Sequence, residues 1–225
     1  RWNQIKDLKH DIGLEINKAT KKIEEYNPIL KGVFASINFN FKNKLSDKKF
    51  KNLISLFSRY RLRNDDFEDH DMMGSVLEYL IKKFALSVES YTPRDVTKLM
   101  VSLLRPKEGM RIYDPSMGTG GFLIQSRLYL TQQGENSDSL LLYGQDINQN
   151  ATAICQMNML LNGVFNPDIR TGDTLRNPLH ISEGKLTTFD RVMCVPPMGM
   201  RWDNKSGNSD PYERFSYGVP SKSSS

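Results

Sequence analysis

The sequence predicts an α/β domain built on a mostly parallel sheet, preceded by a small helical domain. Two observations carry this. Apolar residues recur at helical spacing through the first ninety positions, and beyond them short β-rich runs alternate with helices across short connections. The second pattern is that of βαβ units. The change of character falls near residue 90, so the expected domains are 1–90 and 91–225.

In the first domain, Ile5, Leu8, Ile12, Ile16, Ala19 and Ile23 step by threes and fours and make one face of an amphipathic helix. It should stop at "YNP", because Asn27 precedes Pro28 and the residue before proline disfavours the helical region. Ser46 is a good N-cap for a second helix that carries Phe50, Leu53, Ile54 and Phe57 on one side. A third runs from about Asp71 through Val76, Leu77, Leu80 and Phe84. In the second domain Thr92, an N-cap followed by Pro93, opens a helix with Val96, Leu99, Met100, Leu103 and Leu104 inward. Then follow a strand "MRIYD", a helix from about Gly120, a strand "LLLYGQD", a helix from about Gln149 to Leu161, and the strands "DIRTGD" and "FDRVMCV". The last 25 residues are polar, rich in Gly, Ser and Pro, and read as loop.

Composition narrows the class. Of the 225 residues, 38% are hydrophobic and 25% charged, which is ordinary for a globular protein able to bury a core. The longest apolar runs fall short of a membrane span and the N-terminus has no signal pattern, so a cytoplasmic protein with no membrane partner is expected. Cys155 and Cys194 lack metal spacing and read as buried free thiols; no metal site is expected. A net charge of +5 suits a nucleic-acid partner, although the basic runs near the N-terminus, taken alone, read as solvated helix faces.

The most informative stretch is "YDPSMGTGGFL", between a strand and a helix. Gly118, Gly120 and Gly121 let backbone lie close to a ligand. The spacing is neither the GxGxxG dinucleotide fingerprint nor a phosphate loop ending in GK and Ser or Thr. Asp114 closes the first strand, at the crevice where open α/β sheets bind ligands, and a carboxylate there suits a cationic amine better than a phosphate. Asp146 closes the second strand, the usual place for an acceptor of ribose hydroxyls, and Asp173 closes the third. Each alone could be a turn former. Three in register favour a nucleoside-binding crevice.

At these residues the chain resembles the modification (M) subunit of type I restriction-modification systems, a gamma-class, amino-methylating DNA adenine methyltransferase. The likeness runs through "YNPILKGVFASINFNFKNKL", "LRNDDFEDHDMMGSVLEYLIKKFA", "SYTPRDVTKLMVSLLRPKEGMRIYDPSMGTGGFLIQSR", "LYGQDINQNATAICQMNMLLNGV", "DIRTGDTL", "GKLTTFDRV" and "DPYERFSYGVPSKS", in the family's order. It implies a Rossmann-like S-adenosylmethionine-dependent methyltransferase domain. Tyr91, Thr92 and Pro93 would hold the cofactor with Asp114, Pro115, Ser116, Gly118, Thr119, Gly120, Gly121 and Phe122; Asp146 and Ile147 would take its ribose side, and Asp173 its adenine. It further implies double-stranded DNA as substrate, with the target adenine flipped from the stack. A separate specificity subunit would choose the sequence; whether a restriction subunit joins is left open.

The sequence departs from the family where the reaction occurs. An Asn or Asp followed by Pro-Pro and an aromatic residue would aim the adenine amino group and stack on the base; here the four positions are Val195, Pro196, Pro197 and Met198. Valine cannot accept a hydrogen bond. Cys194 is expected to point the other way along the strand and not to substitute. Family members also continue beyond the point where this likeness stops, so a methyltransferase domain incomplete at its C-terminus is expected, and the stretch before "SYTP" is shorter than the family's by a few glycine-containing residues. Two readings follow: a type I M subunit, or part of one, that methylates adenine, or a pseudomethyltransferase that kept the fold as a cofactor-binding, DNA-clamping or assembly subunit. A methyltransferase with a substrate other than DNA is the weakest third.

Overall fold

The structure, a computed structural model, describes residues 2–34, 37–40, 45–60, 76–77, 79–80, 83, 92–197 and 210–218. The chain divides into two compact units, Arg1–Leu77 and Glu78–Ser225. Residues 84–91, where the composition changes, lie outside the described residues, as do most positions of the third expected helix; Val76, Leu77, Tyr79, Leu80 and Lys83 are helical.

In the first unit the long amphipathic pattern is split. Helix α1 covers Trp2–Lys6 and α2 covers Ile12–Tyr26, with Asp11 between them in the left-handed region at φ 54°. The cause is a cap from elsewhere: Asp47, first residue of helix α3 (Asp47–Phe57), accepts the backbone N–H of Asp11 at 3.2 Å and of Ile12 at 3.0 Å. Those donors would otherwise be unsatisfied at the start of α2. Helix α2 stops at Tyr26, ahead of Asn27-Pro28, as the sequence dictates. Ser46 stands at the N-cap of α3, but its side chain makes no capping bond. Ile12, Phe50 and Ile54 form the buried cluster, with Ile5, Leu8, Ile16 and Phe39 packed against it, while Leu53 and Phe57 of the expected face stay exposed.

The second unit is built on a four-stranded, all-parallel sheet with strands β1 (Arg111–Asp114), β2 (Leu141–Asp146), β3 (Asp168–Thr171) and β6 (Arg191–Val192) in the order β3-β2-β1-β6. Between β3 and β6 the chain makes a small antiparallel hairpin, β4 (Ile181–Ser182) with β5 (Lys185–Leu186), which the sequence pattern does not announce. Helix α4 (Arg94–Leu104) precedes β1; α5 (Gly121–Gln132) links β1 to β2, and α6 (Gln149–Leu161) links β2 to β3. Asn148 caps α6 by accepting the N–H of Asn150 at 2.9 Å and of Ala151 at 3.3 Å.

Alternate strand residues face opposite sides of a sheet. Ile112 and Leu142 join Leu123, Leu130 and Met159 from the helices in the main core. Tyr113 and Tyr143 face the other side, where Tyr113 stacks on Phe189 with ring centroids 4.4 Å apart and His180 meets both tyrosines edge-on. One expectation is corrected here: α4 turns Thr97 and Val101 fully inward, with Met100 and Leu104 against the core, and leaves Val96, Leu99 and Leu103 exposed, the last at 74%. Its apolar residues span an arc wider than the face that meets the core, so they cannot all be buried against it. Thr97 is buried without penalty because its hydroxyl bonds the Pro93 carbonyl at 3.2 Å.

Candidate functional site

Strand order fixes where a ligand would go. From β1 the chain moves outward to β2 and β3, then returns to the far side of β1 with β6. Neighbouring connections thus diverge between β1 and β6, and the carboxyl ends of strands at such a switch point border a crevice. Asp114 and Asp146 are the last residues of β1 and β2; Asp173 lies two residues beyond β3.

Asp114 is 1% exposed. Its Oδ1 accepts the N–H of Ser116 at 3.0 Å; its Oδ2 is buried with no hydrogen-bond partner. Burial pushes its carboxyl up to about 7; the Ser116 N–H opposes this and the Asp146 charge adds to it. An orphaned buried carboxylate oxygen is rare enough to require a role. It fits the cationic or donor group of a ligand.

The glycine-rich turn is held over β2 by backbone contacts. Met117 N–H donates to the Gln145 carbonyl at 3.2 Å, and Gly118 N–H to Asp146 Oδ2 at 2.9 Å, while Asp146 Oδ1 takes the Asn148 N–H at 2.8 Å. Gly144 on β2 makes room: a Cβ there would lie 2.4 Å from Met117 Sδ. At Gly120, φ is +83° and a Cβ would come within 2.6 Å of Cys155 Sγ on α6. A side chain at that position is excluded by both strain and space. Asn158 of α6 holds the turn by donating to the Thr119 carbonyl at 3.0 Å. Asp146 keeps acceptor capacity, since a carboxylate has about four lone-pair sites, and Ile147 beside it leaves an aliphatic side chain half in solvent.

Other expected residues are placed differently. Phe122 sits in the main core and Gly121 is exposed at the start of α5. Thr92 and Pro93 stand ahead of α4; Tyr91 and Met198 lie outside the described residues. Asp173 is engaged by its own turn, accepting the N–H groups of Leu175 and Arg176 at 3.0 and 3.2 Å and the Arg176 guanidinium at 2.7 Å.

Val195 is at the crevice. Pairing of Tyr113 with Val192 brings the chain after β6 alongside Asp114-Pro115-Ser116, and the Ser116 hydroxyl donates to the Val195 carbonyl at 3.2 Å. The Val195 side chain is 42% exposed; Pro196 and Pro197 follow it into solvent. Cys194 corrects an expectation. It is only half-buried, and its Sγ lies 3.1 Å from Ser116 Oγ instead of turning away, because regular pairing ends at Val192 and strict alternation does not reach it. Cys155 is buried, and burial pushes its thiol up, as an inert core thiol requires.

Three residues that sequence reasoning missed shape this edge. Gln145, fully buried, donates to the carbonyls of Gly172 (3.2 Å) and Asn177 (2.9 Å) and accepts the N–H of Leu179 (2.9 Å). Thr174 donates its hydroxyl to the Pro115 carbonyl at 2.6 Å. Arg214 donates to the carbonyls of Thr174 and Leu175, each at 2.7 Å. For Gln145 the signal was available: an amide in an otherwise apolar strand needs partners. Among the described residues no group of His, Cys, Asp or Glu is arranged to hold a metal, and no helix is long and apolar enough to cross a membrane.

Comparison with known proteins finds relatives among type I methylase subunits. The chain is 31% identical over 221 residues to the type I restriction enzyme HindI methylase subunit of Haemophilus influenzae, covering 92% of this chain and 48% of that protein. It is likewise 31% identical to the MjaIX methylase subunit of Methanocaldococcus jannaschii, over 96% of this chain and 39% of that protein. The chain therefore spans less than half the length of each. Among solved structures, the type I restriction-modification system methyltransferase subunit from Streptococcus thermophilus superposes with a TM-score of 0.77 at 26% identity, over 93% of this chain and 46% of that one. The family model for N-6 DNA methylases matches residues 68–225, which takes in the whole sheet, its switch point and all three acidic strand ends. By that match the chain belongs to the N-6 DNA methylase family.

Proposed function

We propose that this chain is the part of a type I modification subunit that carries the cofactor crevice and the start of the target-base site, and that the whole protein methylates the exocyclic amino group of adenine in double-stranded DNA. The observation that carries the reading is the buried, unpartnered Oδ2 of Asp114 at the β1–β6 switch point. S-adenosylmethionine, when bound, supplies an electrophilic methyl group on a sulfonium. The residues fit it. Asp114 offers its free oxygen to the α-amino group; Asp146 offers its remaining lone pairs to ribose hydroxyls; Ile147 flanks a flat ring; and the turn from Pro115 to Gly120 brings backbone within reach. Tyr91, Thr92 and Pro93 belong to the same proposed site, as do Gly121, Phe122 and Asp173, the last through its turn. Pro196 and Pro197 hold the backbone where the amino group of a flipped adenine would enter, and Met198 takes the place of a stacking ring.

Assembly with a specificity subunit belongs to this proposal and follows from the kinship with type I subunits, with a restriction subunit left open; a domain boundary near residue 90, from the change of sequence pattern there, and a cytoplasmic location belong to it as well. The alternative, a cofactor-binding subunit without the reaction, rests on Val195, whose side chain cannot accept a hydrogen bond, and on Met198 at the motif position where the family has an aromatic residue. The test of the main reading is calorimetric titration of S-adenosylmethionine into the full-length protein, wild type against Asp146→Ala. Binding by the wild type, lost in the variant, is the expected result, followed by transfer of a labelled methyl group to DNA in the presence of the specificity subunit. No binding at millimolar cofactor would sink the reading; binding without transfer would favour the alternative.

A further inference from the structure

The Pro115-Ser116 dipeptide of the glycine-rich turn is held from both sides. On the β6 side the Ser116 hydroxyl bonds the Val195 carbonyl at 3.2 Å. On the β3 side the Thr174 hydroxyl donates to the Pro115 carbonyl at 2.6 Å, and the backbone of Thr174 is in turn gripped from a segment forty residues further along.

That segment, residues 210–218, is built around Arg214. Its Nη1 donates to the Thr174 carbonyl and its Nη2 to the Leu175 carbonyl, each at 2.7 Å; Nη2 also donates to Asp210 Oδ1 at 2.7 Å, and Nε to both carboxylate oxygens at 3.1 Å. The Arg214 N–H also donates to Asp210 Oδ2 at 2.8 Å. Consecutive backbone turns, Glu213 to Asp210, Ser216 to Glu213 and Gly218 to Phe215, make the segment compact, with Glu213 in the left-handed region at φ 52°. A planar guanidinium whose fork grips two neighbouring carbonyls while a carboxylate fixes its other edge sets orientation as well as distance. Such a grip is excessive for closing a surface loop. It is suited to setting the position of Thr174, and through its hydroxyl the position of the turn.

We propose that Arg214 is a positioning residue for the glycine-rich turn: from the segment that follows the Pro-Pro motif, it fixes Thr174 and thereby the Pro115 end of the turn in its ligand-binding shape. The inference rests on the reading that this turn holds the cofactor. By thermodynamic reciprocity, a ligand that orders the turn then also orders residues 210–218, so cofactor occupancy is registered in the segment that follows the Pro-Pro motif.

The experiment is hydrogen exchange by mass spectrometry on the full-length subunit, read at peptides covering 113–120 and 210–218, together with calorimetric titration of S-adenosylmethionine. The variants are Arg214→Gln, Arg214→Lys, Thr174→Val and the Arg214→Gln/Thr174→Val pair. Expected are exchange at the Met117 and Gly118 amides faster by about tenfold and cofactor affinity weaker by a similar factor, the size of one lost hydrogen bond. Thr174→Val, which leaves the segment's own contacts intact, should act likewise. The double variant should be no worse than either single one, because both break the same chain of contacts. Lysine should not rescue, since an ammonium cannot span two carbonyls. Unchanged exchange in the turn while 210–218 loosens, additive effects in the double variant, rescue by lysine, or faster exchange with unaltered affinity would each overturn the proposal. Faster exchange in a protein that does not bind S-adenosylmethionine even as wild type would refute the cofactor reading and leave the positioning role standing.

Discussion

Asp114 shows how one side chain can be costly to the fold and necessary to the site. Its carboxyl titrates near 7 in the folded chain because burial disfavours the charge, against an unfolded value near 3.9. The native state therefore holds a proton between about pH 4 and 7 that the unfolded state has released, and stability falls as pH rises through that window. The difference corresponds to as much as about 4 kcal/mol. Asp114→Asn removes the titration, so its stability advantage over wild type should grow from pH 4 to 7 and level off above, as read by urea denaturation across that range. The same variant should lose S-adenosylmethionine, and wild-type affinity should climb with pH as the carboxyl ionises and fall again as the ligand's α-amino group loses its proton at about pH 8; a flat affinity from pH 5.5 to 8.5 would show that Oδ2 meets no cation. Val195 poses the opposite question, of a contact withheld. With the backbone of its turn already tied to Ser116, Val195→Asn needs only a side chain to restore an acceptor, and removing a comparable oriented contact costs other enzymes about 10²–10³ in rate. A gain of that order in methyl transfer by the assembled subunit is expected; no gain would mean that the amino group is aimed by something else.

Single residues decide where elements begin. Periodicity from Ile5 to Ile23 is continuous, yet the helix is interrupted from Asp7 to Asp11, because Asp47 offers two acceptor oxygens to the amides of Asp11 and Ile12 and makes a fresh start for α2 more favourable than continuation. The close approach is completed at Gly13, where a Cβ would fall 2.2 Å from the Phe39 carbonyl oxygen. Asp47→Ala should cost about 0.5–2 kcal/mol, the range for a lost helix cap, and should lower helicity in the Ile12–Tyr26 region by circular dichroism; an unchanged melting curve would mean that solvent caps α2 equally well. Helix α4 teaches the complementary lesson. Its apolar arc is wider than the buried face, so periodicity identified a helix but not which edge of the arc turns inward, and the choice fell to Thr97 and Val101.

For the molecule as a whole, much was legible because parallel strands and their helices are written in local runs. The strands ending in Asp114 and Asp146, the helix from Gln149 to Leu161 and the turn between β1 and α5 all follow from patterns within a dozen residues. The contacts that shape the crevice span longer distances: Thr174 reaches Pro115 across 59 positions and Arg214 reaches Thr174 across 40. No local pattern encodes a hydroxyl or a guanidinium that bonds to distant backbone, and the same holds for Cys194 against Ser116. Gln145 carries a consequence for how this edge can evolve. Its amide addresses only main-chain atoms of the stretch from Gly172 to Leu179, two carbonyls and one amide. The two ends of that stretch are thus anchored from inside the sheet, without reference to the exposed side chains of Leu175 and Asn177. Lineages can diversify Leu175 and Asn177 while these contacts stay fixed, whereas conversion of the one carboxamide to a carboxylate, by mutation or by slow chemical ageing, would turn a donor into an acceptor facing two carbonyls and loosen both ends of the stretch, leaving its middle to Thr174 and Arg214.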